Sequence, residues 1–93
     1  MYLGRQTENS PRQPEIDLTN LPYSERVSRF HAYIFWDSSV YSYKIVDNNS
    51  TNTTSLNGEM LEPRKEYILT DGNLLEFGKE HKIQFTVEFK SKI

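Results

Sequence analysis

Three short polar stretches carry the residue types that could do chemistry: Gly4-Arg5, Ser28-Arg29-Phe30-His31, and the run from Asp47 through Ser50-Thr51-Asn52-Thr53 to Leu56-Asn57-Gly58. Together they set charge-assisted guanidinium donors beside small hydroxyl and amide donors, a mixture suited to an oxyanion rather than to a metal cation. The two histidines, His31 and His81, are too few and too far apart in sequence for a metal cluster, and the chain has no cysteine, so neither a thiolate metal site nor a disulfide framework is expected. Ser28, His31 and Asp47 can be written down as a hydrolytic triad. They lack the strained strand-to-helix turn that activates a nucleophile, so no catalytic residue is assigned and no enzyme activity is expected.

These stretches must be held by something, and the intervening sequence reads as strands. Tyr2-Leu3 ends a strand at Gly4, after which two prolines and a polar run over residues 5–14 exclude regular structure. Glu15 to Leu18 alternates as a short strand, and the loop after it has room for a single helical turn at most. His31 to Trp36 and Val40 to Val46 are rich in β-formers on either side of Asp37-Ser38-Ser39, which predicts a hairpin; the inward face of the second strand cannot be read from its pattern. Asn57-Gly58 predicts a type I′ hairpin turn, Glu66 to Leu69 and Asn73 to Phe77 are strands about the Asp71-Gly72 turn, and Ile83 to Phe89 alternates as a half-buried strand. Ile34, Ile45, Leu69, Leu75, Phe85 and Val87 are the expected core positions. Short strands, frequent turn signals and no sustained helical period predict an all-β, twisted antiparallel sandwich whose end loops carry function.

At 93 residues the chain fits one domain, and residues 1–93 are read as a single unit. A formal charge of -2 and a sequence pI near 5.6 provide no broad basic face, so nucleic acid is not an expected partner. No apolar run reaches signal-peptide or membrane-spanning length, which places the expected setting in the cytoplasm with no membrane partner. Asn48, Asn49 and Asn52 open Asn-x-Ser/Thr matches, and in that setting they are loop chemistry rather than glycosylation sites.

Gly4-Arg5, Val27-Ser28-Arg29-Phe30-His31-Ala32, Asp47 through Asn52, Leu56-Asn57-Gly58, Asp71-Gly72 and Phe77-Gly78 occur in an order and spacing that resemble the forkhead-associated (FHA) domain over almost the whole chain. The resemblance implies a sandwich that binds phosphothreonine peptides through loops at one end, acts in Ser/Thr kinase signalling, and needs no cofactor. It implies that Arg5, Ser28 and Thr51 meet the phosphate, that Asn52 meets the peptide main chain, and that Arg29 is a second contact. Gly4, His31, Asn57 and Gly58 would be structural supports.

Two departures stand out. Thr53 occupies the place where the family usually has glycine, and a β-branched residue resists positive φ. The alternative that follows is a phospho-independent interaction module on the same fold. Only Met1-Tyr2-Leu3 precede the Gly-Arg pair, so the family's usual first strand is expected to be missing, as in a truncated domain or a piece of a longer parent protein. The final strand is then expected to present an open edge, with weak self-association as one result.

Overall fold

A computed structural model describes residues 1–6, 12–80 and 83–89. His81 and most of the Gln6 to Pro14 connection lie outside the described residues. The described residues form nine strands: β1 (Tyr2–Gly4), β2 (Ile16–Asp17), β3 (Ala32–Asp37), β4 (Ser42–Asp47), β5 (Thr54–Leu56), β6 (Glu59–Met60), β7 (Glu66–Ile68), β8 (Leu74–Phe77) and β9 (Ile83–Thr86). The helical turn expected in the loop after β2 is a 3-10 turn over Ser24–Arg26. One sheet has the order β2-β1-β3-β4-β7 and the other β6-β5-β8-β9.

The structure is the expected all-β sandwich; its second sheet is antiparallel, and its first is mixed through the parallel pairing of β1 with β2. β1 and β2 run parallel, pairing Leu3 with Ile16 and Gly4 with Asp17. Local sequence patterns carry no strand direction; a connection of a dozen or so residues is long enough to return the chain to its starting end and permit a parallel pair. Both strands therefore deliver their following loops to the same end of the sandwich.

Turn chemistry behaves as the residue types require. Asn57 and Gly58 have φ of 52° and 84°, as a type I′ turn demands, and Gly72 has φ of 86° in the Asp71-Gly72 turn. The β3–β4 hairpin is one place where the expected boundary shifts. Asp37 Oδ1 accepts hydrogen bonds from both the amide and the hydroxyl of Ser39, and Tyr41 turns to φ 50°, so β4 starts at Ser42 rather than Val40. Ladder-type bonding beyond β9 extends to Val87, whose amide donates to the Asn73 carbonyl and whose carbonyl accepts from the Gly72 amide.

Ile45, Leu69 and Leu75 are buried together with Leu3, Leu18, Val27, Ala32, Leu61, Phe77 and Ile83. Ile34, Phe85 and Val87 are only partly buried and pack against that core. The face of β4 that its sequence left undecided is now clear: Ile45 and Asp47 are both buried, whereas Lys44 is bonded to Asp37 at 2.8 Å and Glu66 at 3.0 Å. A carboxylate on the inward row hides the alternation. Within the described residues, β9 pairs only with β8, so it forms the edge of its sheet, as expected.

Phe77, 1% exposed, is the largest fully buried side chain. Phe77→Ala is expected to cost about 3–5 kcal/mol in denaturant unfolding, and Phe85→Ala less than that range, because Phe85 is already partly in water.

Candidate functional site

The strand registers bring five chain segments to one end of the sandwich. Ala32 pairs with Asp47, Leu3 with Ala32, Thr54 with Phe77, and Phe77 with Ile83, so the segments after Gly4, before Ala32, between Asp47 and Thr54, and after Phe77 share that pole, with the loop after Leu61 adjoining it. Asn57 and Gly58 are different. They sit at the other end of β5, where the Asn57 amide donates to the Leu74 carbonyl and Asn57 Oδ1 accepts from the Leu74 amide, so the length of β5 separates them from the loop pole.

Gly4 is required by a close approach. A Cβ placed there would lie 1.8 Å from the Arg29 carbonyl oxygen and 2.9 Å from that of Ser28. The Ser28-Arg29 backbone therefore runs directly over Gly4, and the next amide, of Arg5, donates to the Ser28 carbonyl at 3.1 Å. This contact places Arg5 beside Ser28. The Arg5 side chain is half-buried, and its Nε is a buried donor with no hydrogen-bond partner among the described residues. A sequestered, always-charged donor without an acceptor is costly to leave alone, and an anion would satisfy it.

Ser28 links the loop before β3 to the loop between β4 and β5. Its Oγ accepts from the Thr51 amide at 3.2 Å, which leaves the hydroxyl proton to donate elsewhere. Thr51 and Arg29 are exposed, and Asn52 is half-buried with its Nδ2 donating to the Arg26 carbonyl at 3.0 Å. Arg5, Ser28, Thr51 and Asn52 thus lie on loops that are bonded to one another.

Behind them lies His31, 0% exposed. Its Nδ1 accepts from the Ser28 amide at 3.0 Å and its Nε2 is 2.7 Å from the Thr53 carbonyl, so Nε2 carries the proton and donates it. Both ring nitrogens are committed to backbone, and neither is left to take a proton from the Ser28 hydroxyl. The triad geometry is not formed. Burial lowers the His31 pKa below the ordinary imidazole value, outweighing the opposing influence of the Thr53 carbonyl and of Asp47.

Thr53 adopts φ 70°, so the loop follows a left-handed path despite its β-branched side chain. The conformation is over-determined: the Thr53 carbonyl also accepts from the Gly78 amide at 3.0 Å, and the following residue enters β5.

Sequence reasoning missed what holds the root of this loop. Asp47, 1% exposed, accepts from the Ser50 amide at 3.1 Å, the Ser50 hydroxyl at 2.5 Å and the Thr54 hydroxyl at 2.7 Å. Asn48 adds a bond from its Nδ2 to the Phe30 carbonyl at 3.0 Å. The spacing of Asp47 and Ser50, a carboxylate three residues ahead of a small hydroxyl donor, is the local signal of a side-chain-closed turn. Among the described residues no three His, Cys, Asp or Glu side chains group to hold a metal.

Two measurements probe this scaffold. Left-handed backbone costs an ordinary residue roughly 1–2 kcal/mol, while the unfolded chain gains about 0.4–1 kcal/mol of freedom from glycine. Thr53→Gly should therefore raise stability by about 0.5–1 kcal/mol in thermal or denaturant unfolding. For His31, folding favours the neutral ring, so the unfolded chain binds the extra proton as pH falls. Stability should be level at pH 8 and decline as pH drops through the unfolded imidazole range near 6.5, flattening only below the lowered folded pKa. Denaturation from pH 8 to 5 should show that decline in the parent and a shallower one in His31→Gln.

A family profile described as "FHA domain" matches residues 1–78. The chain is 36% identical to the mouse and 38% identical to the human protein named "Angiogenic factor with G patch and FHA domains 1", over 88 residues and 91% of this chain in each case. It spans 11% of the length of those curated relatives. Among solved structures it resembles the FHA domain of an Arabidopsis thaliana hypothetical protein, determined in solution, with a TM-score of 0.67 and 26% identity, covering 99% of this chain and 70% of that one. FHA domains are non-enzymatic protein-interaction modules that generally bind phosphothreonine. With its mixed and antiparallel sheets, its polar loops gathered at one pole and its profile match over most of its length, this chain belongs to the FHA domain family.

Proposed function

We propose that this domain binds phosphothreonine peptides in Ser/Thr kinase signalling and performs no catalysis. The observation that carries the reading is the Gly4 contact, which fixes Arg5, whose buried Nε has no partner among the described residues, beside a Ser28 hydroxyl already oriented by the Thr51 amide. In this reading Arg5 is the charged phosphate contact and Ser28 donates its hydroxyl proton. Thr51 approaches the phosphate from the second loop. Asn52, oriented through Nδ2, turns its Oδ1 to a peptide amide, and Arg29 serves as a second cationic contact. Gly4 and His31 act as supports from behind.

Thr53 was the ground for a phospho-independent alternative. Its φ of 70° supports the phospho-dependent reading instead, since the loop takes the path that a glycine would have taken. A phosphate carries about -1.5 to -2 charge near neutral pH and three acceptor oxygens, so carboxylate mimics are expected to bind poorly.

Truncating one partner of a desolvated charge pair costs roughly 2–5 kcal/mol, a large share of the about -8.2 kcal/mol that corresponds to micromolar binding. Arg5→Ala should therefore abolish phosphothreonine-peptide binding while the protein keeps its fold, and Ser28→Ala and Asn52→Ala should weaken binding. Calorimetry with matched phosphothreonine, phosphoserine and unphosphorylated peptides from a library checks this. Undiminished binding by folded Arg5→Ala protein would mean that the phosphate lies elsewhere.

A further inference from the structure

We infer that the free edge of β9 is a pairing surface for a second copy of this chain, joined antiparallel about a two-fold axis at Phe85. Among the described residues four strands end the two sheets: β2 and β7 in the first, β6 and β9 in the second. Three of these edges carry the devices that stop a sheet from adding strands. β2 is two residues long, ends on Asp17 and lies just after Pro14; β6 is two residues long and opens on Glu59; β7 opens on Glu66, directly after Lys65. β9 has none of them. Ile83-Gln84-Phe85-Thr86 holds no charge and no proline, and its bonding to the β8 side runs on to Val87. The Phe89 amide then donates to Asp71 Oδ1 at 2.8 Å, so the described chain leaves along the β8 side rather than over the free edge.

Which groups face outward follows from the pairing. Val87 turns its amide to the Asn73 carbonyl and its carbonyl to the Gly72 amide, and alternation along the strand gives the same direction to Phe85 and Ile83. The amides and carbonyls of Gln84 and Thr86 are therefore the ones directed away from β8. An antiparallel copy centred on Phe85 places Gln84 opposite Thr86 of the second chain, so both such pairs exchange main-chain hydrogen bonds, while Phe85 faces its own equivalent and Ile83 faces Val87. The side chains sort in the same register: Ile83, Phe85 and Val87 pack toward the core, whereas Gln84 and Thr86 are exposed. The core side also has room. A cleft of about 160 Å³ lined by Leu21, Pro22, Ile83 and Phe85 adjoins one end of β9, and one of about 350 Å³ lined by Ile34, Tyr43, Val87 and Phe89 adjoins the other. The two-fold axis carries Val87 of each copy to the first cleft of the other, and Ile83 to the second. One strand pair and two clefts make a small contact, in the class below roughly 1,200 Å² whose members associate weakly and reversibly. Because Ile83, paired with Phe77, marks the loop pole in each copy, the two loop poles lie at opposite ends of the pair and stay open.

Sedimentation velocity of the full chain from micromolar to millimolar concentration should show a reversible monomer–dimer equilibrium. A monomer throughout overturns the inference and leaves the edge to an extended segment of another protein. Thr86→Pro removes an amide that faces only the free edge, so it should keep the fold by circular dichroism and sediment as a monomer where the parent is half dimer. Folded Thr86→Pro protein that dimerises like the parent overturns pairing through β9. The register has its own test, because the chain has no cysteine. Residues opposite each other in a hydrogen-bonded antiparallel pair have Cα atoms about 5.5 Å apart, within disulfide reach. Gln84→Cys mixed with Thr86→Cys under mild oxidation should therefore form a mixed disulfide several-fold faster than either variant cross-links alone. Equal rates overturn the Phe85-centred pairing, and this result decides the matter whether or not Thr86→Pro folds.

Discussion

A neutral imidazole held in the core is the interaction on which the loop pole depends. His31 takes the Ser28 amide on one nitrogen and gives its proton to the Thr53 carbonyl on the other, so one rigid ring spaces two loops that are distant in sequence. Phe77 packs edge-on against it with ring centroids 5.1 Å apart, which joins the brace to the hydrophobic core. Because the ring is fully buried, each of its hydrogen bonds operates in a medium of low polarity, where a satisfied bond is strong and an unsatisfied one is expensive. The loops thereby inherit their positions from the sandwich rather than from their own flexible sequence.

Around that brace the structure combines a tight backbone contact, a strained residue and an inward carboxylate. Gly4 allows two chain segments to approach to a distance that any side chain would forbid. Thr53 bends the second loop back toward β5 at the cost of an unfavourable φ, and its carbonyl is held by two donors. Asp47 closes the turn that starts this loop. The arrangement gathers buried polarity where ligand contacts are proposed, while the far end of the sandwich turns on Asn57-Gly58, Gly72 and Tyr41, all at positive φ.

Much of this was legible in the sequence, and the reasons differ by feature. The strands could be read because Ile83, Phe85 and Val87 alternate with polar residues and because Asn57-Gly58 and Asp71-Gly72 specify their turns locally. Gly4-Arg5 and Ser28 to His31 pointed to one pole through their order along the chain. The parallel pairing of β1 with β2 was not legible, since nothing in Leu3-Gly4 or Ile16-Asp17 encodes direction. Nor was the role of Asp47. Its burial depends on β3, on Thr54 and on the Arg64 amide that reaches its carbonyl from a later loop, and a turn aspartate and a buried aspartate are the same letter.

Ser28 occupies both ends of a hydrogen-bond chain. Its oxygen already receives the Thr51 amide, and its proton is free to point outward. An acceptor arriving from outside would pull the hydroxyl proton outward, leave the oxygen richer in electron density, and so strengthen the bond it accepts from the Thr51 amide. Binding at the Ser28 hydroxyl and closure of one loop on the other would then be coupled through a single oxygen atom.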